Sequence, residues 1–203
     1  MGLGGKIALG CGGLLVLVLV ILGLTGVGSY NALNSLNQAV DAQWGQVENV
    51  YQRRADLVPN LVATVKGAAA FEKETFTAVT EARAKVGQVT AGPKPTEDPA
   101  AMARFQQAQE GLGSALSRLL VVVEKYPDLK ATRNFLDLQA QLEGTENRIA
   151  VERMRFNQAA QAFNTRRNSF PTMLIAGFFG NRFQDKAYFK AQAGADQAPK
   201  VTF

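Results

Sequence analysis

The sequence predicts an all-α protein: an up-and-down antiparallel four-helix bundle, led by a transmembrane helix and closed by a short aromatic-rich tail. Three observations predict it. Residues 7–27 carry no charge and include 13 Leu, Ile or Val. Later stretches repeat apolar residues at steps of three and four, the spacing that places them on one side of a helix. A proline-bearing stretch, Gly87 to Ala101, separates the second periodic segment from the third. The chain accordingly divides into an anchor (1–28), a helical bundle (29–169) and a tail (170–203).

At about 1.5 Å per residue the uncharged stretch makes a helix of about 31 Å, the thickness of a bilayer hydrocarbon core. Its aliphatic residues favour insertion by about 4 to 8 kcal/mol before glycine and end effects reduce the figure. A cleaved secretory leader is the competing reading, since Lys6 starts the stretch and Gly26, Gly28 and Ser29 could supply a cleavage site. The unbroken Leu14 to Leu24 run is longer and richer in leucine than a minimal signal, which favours an anchor. Cys11 lies too close behind Lys6 for a lipid-attachment signal, and the Ala8/Gly12 pair is as well explained by ordinary glycine content as by helix packing. Lys6 flanks the span on the short side and no Lys or Arg follows until Arg53, so the N-terminus is expected in the cytoplasm and the bundle outside it.

About 140 residues follow the span before the tail, enough for one core and not two. The single cysteine lies in the span and histidine is absent, so the bundle has no disulfide and no thiol nucleophile. The net charge of +5 arises from 22 basic residues scattered among 17 acids, with only Arg53-Arg54 and Arg166-Arg167 adjacent. That pattern suits a solvated helix surface, and nucleic acid is not expected as a partner.

The first bundle stripe is Leu33, Leu36, Val40, Trp44, Val47 and Tyr51, and it can continue directly from the membrane helix. At Pro59 a backbone donor is lost and the preceding turn is crowded, so a break is expected there, with Asp56 as cap of a second helix. The period resumes at Leu61, Val65, Ala68, Phe76, Val79 and Val86, and segments of similar length on both sides of the break close the bundle. Gly87 to Ala101 reads as a surface linker. Asp98 before Pro99 is a helix start, and Met102, Phe105, Leu112, Leu116, Leu119 and Val123 form the third stripe, ending at Tyr126-Pro127.

The last helix keeps a 3.5-residue period through Phe135, Leu138, Leu142, Thr145, Ile149, Glu152, Phe156, Ala159, Phe163, Arg166 and Phe170. Beside that seam runs a polar row, Glu146, Arg153, Asn157 and Asn164. Polar side chains along a core edge need partners, and Arg53, Arg54, Asp56, Glu72, Arg83 and Glu124 on other helices are the candidates. The reading taken is a hydrogen-bonded network that fixes helix register, of which Arg53, Arg54, Asp56, Glu146, Glu152, Arg153, Asn157 and Asn164 are members; a ligand site is the alternative. In the tail, six of the twelve phenylalanines lie from Phe170 onward. Phe178 and Phe179 among them must be covered by the bundle end, by lipid or by another chain. Gln192 to Pro199 is polar and alanine-rich, and is expected to be mobile.

Several stretches also resemble the LemA family: RRADLVPNLV from Arg53, EKYPDLKA from Glu124, TENRIAVERMRFN from Thr145, Phe163-Asn164, and FPTMLIAGFFG from Phe170. The order and spacing are similar over nearly the whole chain. The resemblance implies an N-terminally anchored, up-and-down helical bundle of a bacterial cell envelope, held in the inner (cytoplasmic) membrane, and implies no settled biochemical activity. Phe156 stands where the family more usually has tyrosine.

Catalysis is not expected. Bundle metalloenzymes use carboxylates with Glu-x-x-His pairs, and no histidine is available. The carboxylate spacings of Glu143 with Glu146 and of Glu72 with Glu74 are ordinary on helices, and no nucleophile, phosphate-loop or dinucleotide motif is present. No metal or cofactor is expected. The function predicted is a non-catalytic, membrane-anchored scaffold or adaptor that works by protein–protein contact, with the lipid bilayer and an unidentified envelope protein as partners. The alternative is a self-assembling structural element, an array or membrane-shaping homo-oligomer.

Overall fold

The computed structural model describes residues 3–66, 73–92 and 94–191, with side chains from Gly12 onward. Expectations resting on the side chains of Lys6, Ala8 and Cys11, on Ala68 and Glu72, and on the stretch from Gln192 to Phe203 lie outside the described residues or side chains.

Helix α1 (Leu3–Lys66) is continuous from the apolar leader into the bundle, so Gly28 and Ser29 do not interrupt it. The break expected at Pro59 is not there: the proline lies inside α1, which is described through Lys66, and Asp56 is within the helix and caps nothing. Pro59 has no N–H to donate to the carbonyl of Ala55, four residues earlier. Arg83, from the neighbouring helix, donates its Nε–H to that same oxygen at 3.1 Å. The acceptor orphaned by proline is satisfied from outside, and the helix passes through.

Four more helices and a short turn of helix follow: α2 (Lys73–Thr90), α3 (Pro99–Val123), α4 (Pro127–Lys130), α5 (Arg133–Arg167) and α6 (Thr172–Phe179); among the described residues there is no strand. Helices α1, α2, α3 and α5 form the four-helix bundle, with α1 packed chiefly on α5 and α2 on α3. One apolar cluster, at the end far from the leader, joins Leu61, Val65, Val79, Leu112, Leu119 and Phe135. A second, nearer the leader, joins Leu33, Trp44, Phe105, Phe156 and Phe163. Burying each such side chain stabilises the fold by about 1.5–3 kcal/mol.

Asp98 caps α3 as expected, its Oδ1 accepting the N–H of Ala100 at 2.8 Å with Pro99 in the first turn. The linker before it is not simply surface. It contains a 3-10 turn at Pro95–Glu97 in which Pro95 and Thr96 are buried, because the tail packs onto it. On α5 the buried seam runs from Phe135 to Phe163, with Ala160 rather than Ala159 facing inward. Arg166 and Phe170, expected on the seam, are exposed. A 3.5-residue repeat drifts by about 20° per heptad around a helix of 3.6 residues per turn, which carries Arg166 off the core, whereas Phe170 lies beyond the end of α5 at Arg167.

After α6 the chain turns at Gly180, whose φ of 48° lies in the left-handed region that favours glycine. A 3-10 turn then leads to Phe183, and residues 184–191 follow without regular structure, starting extended at Gln184. This segment lies in the seam between α3 and α5 and runs antiparallel to α5. Phe183 and Phe189 enter the second core cluster, so the tail completes the bundle.

Candidate functional site

The tail segment is held by a row of carboxamides. Asn164 donates from Nδ2 to the carbonyl of Lys186 at 2.9 Å, and its Oδ1 accepts the N–H of Lys186 at 2.7 Å. Asn157 does the same with Phe189, at 3.0 and 2.9 Å. Gln106 of α3 repeats the pattern with Lys190, at 2.7 and 3.2 Å. Each amide presents one donor and one acceptor to one residue's main chain, as a neighbouring strand would. The spacing explains the match. Asn157 and Asn164 are two helical turns apart, about 10.5 Å, while Lys186 and Phe189 are three extended residues apart, about 10 Å.

Arg153, one turn before Asn157, donates to the Lys190 carbonyl at 3.0 Å, and its guanidinium lies 4.9 Å from the centre of the Phe189 ring. Phe189 stands in a box of Trp44, Phe105 and Phe156, with ring centres 6.0, 6.3 and 5.5 Å away. Lys186 is only 3% exposed. Its ammonium pairs with Glu97 of the 3-10 turn and lies 5.0 Å from the centre of the Phe163 ring, while the N–H of Ala187 bonds to the Thr96 carbonyl at 2.8 Å. A cation buried this deeply needs such a partner.

Past Lys190 the seam stays open as a cleft of about 640 Å³ between α3 and α5. Arg54, 4% exposed, lies in its floor. It donates to Glu146 at 2.9 Å and to both the carbonyl, at 2.9 Å, and the side-chain oxygen of Gln109, so it ties α1 to α5 and α3 at once. Tyr51, one turn earlier, has its pKa raised above the ordinary 10.0 by burial, against the lowering effect of the Arg153 and Arg54 charges.

The polar row therefore has partners of two kinds. Glu146 is met by Arg54, as the reading of inter-helix pairs expects. Arg153, Asn157 and Asn164 are met by the tail's main chain, not by the charged residues of other helices. Glu152 accepts from Gln43 of α1 and pairs with Arg155 at 2.8 Å. Asp56 accepts from Gln52 on its own helix at 2.8 Å, and Arg53 is exposed. Glu124 pairs with Lys130 at 3.6 Å, away from the row. Gln106, Gln109, Glu97 and Lys186 belong to the site and carry no motif in the sequence; only Lys186 has a signal there, its three-residue spacing to Phe189 matching the seven-residue spacing of Asn157 and Asn164.

A second surface lies where the bundle meets the leader. Helix α6 packs against α1 there: Ile175 Cδ1 is 3.8 Å from the position a Cβ on Gly26 would take, and the Phe179 ring lies tilted against Tyr30 with centres 4.9 Å apart. The other face is bare. Phe170 is 77% and Phe178 84% exposed, with Met173, Leu174 and part of Phe179 beside them. This patch continues the exposed aliphatic surface of Leu14 to Leu24, on a helix long and apolar enough to cross a membrane. Arg182 sits just beyond, over the Tyr30 ring at 5.6 Å. Cation and aromatic side chains at this level are the arrangement found where an apolar span meets headgroups. Of the tail aromatics, Phe183 and Phe189 pack on the bundle itself, whereas Phe170 and Phe178 do not.

Among known proteins, residues 43–203 match the LemA family. Magnetosome protein MamQ of Magnetospirillum gryphiswaldense is 29% identical over 92% of this chain and 74% of its own length. Protein LemA of Metamycoplasma hominis is 22% identical over 79% of this chain and 69% of its own.

Proposed function

The chain belongs to the LemA family, and from that premise we propose that it is a non-catalytic scaffold or adaptor, anchored by its leader and acting through protein–protein contact at the envelope membrane. The bare apolar face of α6 beside the span carries this reading. Leaving Phe170, Leu174 and Phe178 in water forfeits about 1.5–3 kcal/mol for each, whereas in lipid the same face is a second attachment that fixes the bundle upright on the surface. The N-terminus is then cytoplasmic and the bundle faces the periplasm or exterior, as the lone Lys6 favours. The sequence holds no histidine and no cysteine beyond the span, so imidazole and thiol chemistry has no residue in the bundle.

The second reading, a self-assembling structural element, is favoured by that same bare face, which a second copy could cover in place of lipid. In-membrane crosslinking followed by mass determination separates the two. One stoichiometric partner crosslinked to a single copy supports the adaptor. A ladder of copies of this chain alone supports assembly and refutes the adaptor.

A further inference from the structure

Helices α6 and α1 run side by side in the same direction: Ile175 meets the Gly26 position, and four residues later on both helices Phe179 meets Tyr30. Helix α5 ends at the height of Tyr30, because Arg167 donates its Nε–H to the Phe183 carbonyl at 2.6 Å and the Phe183 ring lies 5.6 Å from that of Tyr30. The chain therefore dips towards the leader after α5 and climbs back along α6. Two exposed arginines stand where the dip begins and ends, Arg166 in the last turn of α5 and Arg182 just past α6. We propose that they make the rim of this dip a binding surface for anionic phospholipid headgroups, with the α6 apolar face on the acyl chains beneath. The inference rests on the reading that α6 lies in lipid and names the lipid it prefers.

The charge at this end of the bundle carries it. Among the described residues the nearby acids are matched by cations: Asp185 pairs with Arg167 at 3.0 Å, Glu97 with Lys186, and Asp98 with Arg104 at 3.7 Å. The first acid on α1 beyond Gly26 is Asp41, which pairs with Lys94 at 3.6 Å, and the nearest acid before Arg166 on α5 is Glu152. Both stand more than about 20 Å along their helices from those two residues. Arg166 and Arg182 have no acid within ion-pair distance among the described residues. The described polar contact of Arg182 is with Asn34 Oδ1, at 3.3 Å. The rim thus holds two positive charges with nothing in the bundle to offset them.

Their height suits phosphate. Tyr30 is four residues beyond Gly26, about 6 Å along α1, where an apolar span gives way to headgroups. A guanidinium there presents a planar fork of donors that matches phosphate oxygens. The phosphate of a zwitterionic lipid carries its own ammonium, which offsets the attraction; an anionic headgroup does not. Each basic residue held near an anionic surface strengthens binding about fivefold, less in high salt. Leu174 and Phe178, exposed on the α6 face, meet the chains of the same lipid, so one surface engages both of its ends.

The test uses the full-length Phe178→Trp chain in phosphatidylcholine vesicles that hold the same small mole fraction of a brominated-chain lipid, phosphatidylglycerol in one set and phosphatidylcholine in the other. Brominated phosphatidylglycerol is expected to quench the added emission more strongly, with a relative association constant at least about fivefold higher. Arg166→Gln and Arg182→Gln should each lower that preference by about two- to fivefold, Arg182→Lys should keep most of it, and molar salt should weaken it. Arg118→Gln, at an exposed cation on the end far from the leader, should leave it unchanged. Emission from the buried Trp44 reports that the bundle of each variant is intact, and the exposed Arg166 can be replaced without touching the core. Equal quenching by the two brominated lipids, or a preference that survives loss of both arginines, overturns the proposal and leaves α6 in lipid. Quenching by neither lipid overturns the reading of α6 as well, so the two failures are distinguishable.

Discussion

The passage of α1 through Pro59 depends on one hydrogen bond supplied from another helix, and that dependence is measurable. Arg83 Nε lies 3.1 Å from the Ala55 carbonyl, the acceptor that Pro59 leaves without its helical donor. The contact is exposed, so Arg83→Ala is expected to cost about 1 kcal/mol, near the lower end for a bond from a charged donor. Pro59→Ala restores the backbone donor and removes a penalty of up to about 3 kcal/mol for proline inside a helix, so it should stabilise the protein by about 1–3 kcal/mol. The two changes should not add. Once Ala55 has its own N–H partner, loss of Arg83 should cost about 0.3 kcal/mol or less, giving a coupling of about 0.7 kcal/mol or more. In a domain of this size about 1 kcal/mol moves Tm by about 2–4 °C. Circular dichroism melts of the four full-length chains in one detergent resolve that difference. Additive effects, or destabilisation by Pro59→Ala, would refute the explanation of the unbroken helix.

Other outcomes follow from the same geometry. Arg54→Ala should destabilise the bundle by about 1–3 kcal/mol in urea melts, because Gln109 loses its buried donor while Glu146 stays half in water. Arg54→Lys should recover only part of this, since one ammonium cannot serve Gln109 and Glu146 as the guanidinium does. Burial raises the Tyr51 pKa, so its contribution is fully present below about pH 10, the unfolded value, and is lost as pH rises through the higher folded value. Melts between about pH 8 and about pH 11 should show that alkaline loss, and Tyr51→Phe should reduce it. In a Cys11→Ser background, a cysteine introduced by Gln88→Cys should react with an impermeant reagent on intact cells; reaction only after lysis would reverse the orientation.

The stripes of the first, third and last long helices, the Asp98 cap and the apolar leader were legible because each is written within one element, as a period or a local pairing of side chain and backbone; the second stripe is divided, Leu61 and Val65 on α1 and Phe76, Val79 and Val86 on α2. What escaped reading crosses between elements. Pro59 reads as a break because its compensating donor, Arg83, lies on a different helix. Asn157 and Asn164 stand out as polar residues on a core edge, yet an inventory of side chains sends them to charged partners, while the real partner is the main chain of residues 186 and 189. Glu97 and Lys186 are unremarkable separately and become a buried pair only when the linker and the tail meet. The tail phenylalanines were recognised as surface that must be covered, and packing alone divides them: Phe183 and Phe189 inward, Phe170 and Phe178 outward.

The central claim is that α6 lies in lipid beside the span while the bundle stands clear of it. Trp44, the single tryptophan, is buried and lies 18 residues beyond Gly26, about 27 Å along α1. In vesicles of brominated-chain lipid, the wild-type chain should keep its tryptophan emission, and a Phe178→Trp chain should lose the added emission relative to vesicles of ordinary lipid. Equal brightness of the Phe178→Trp chain in both lipids would place α6 outside the membrane and contradict the account.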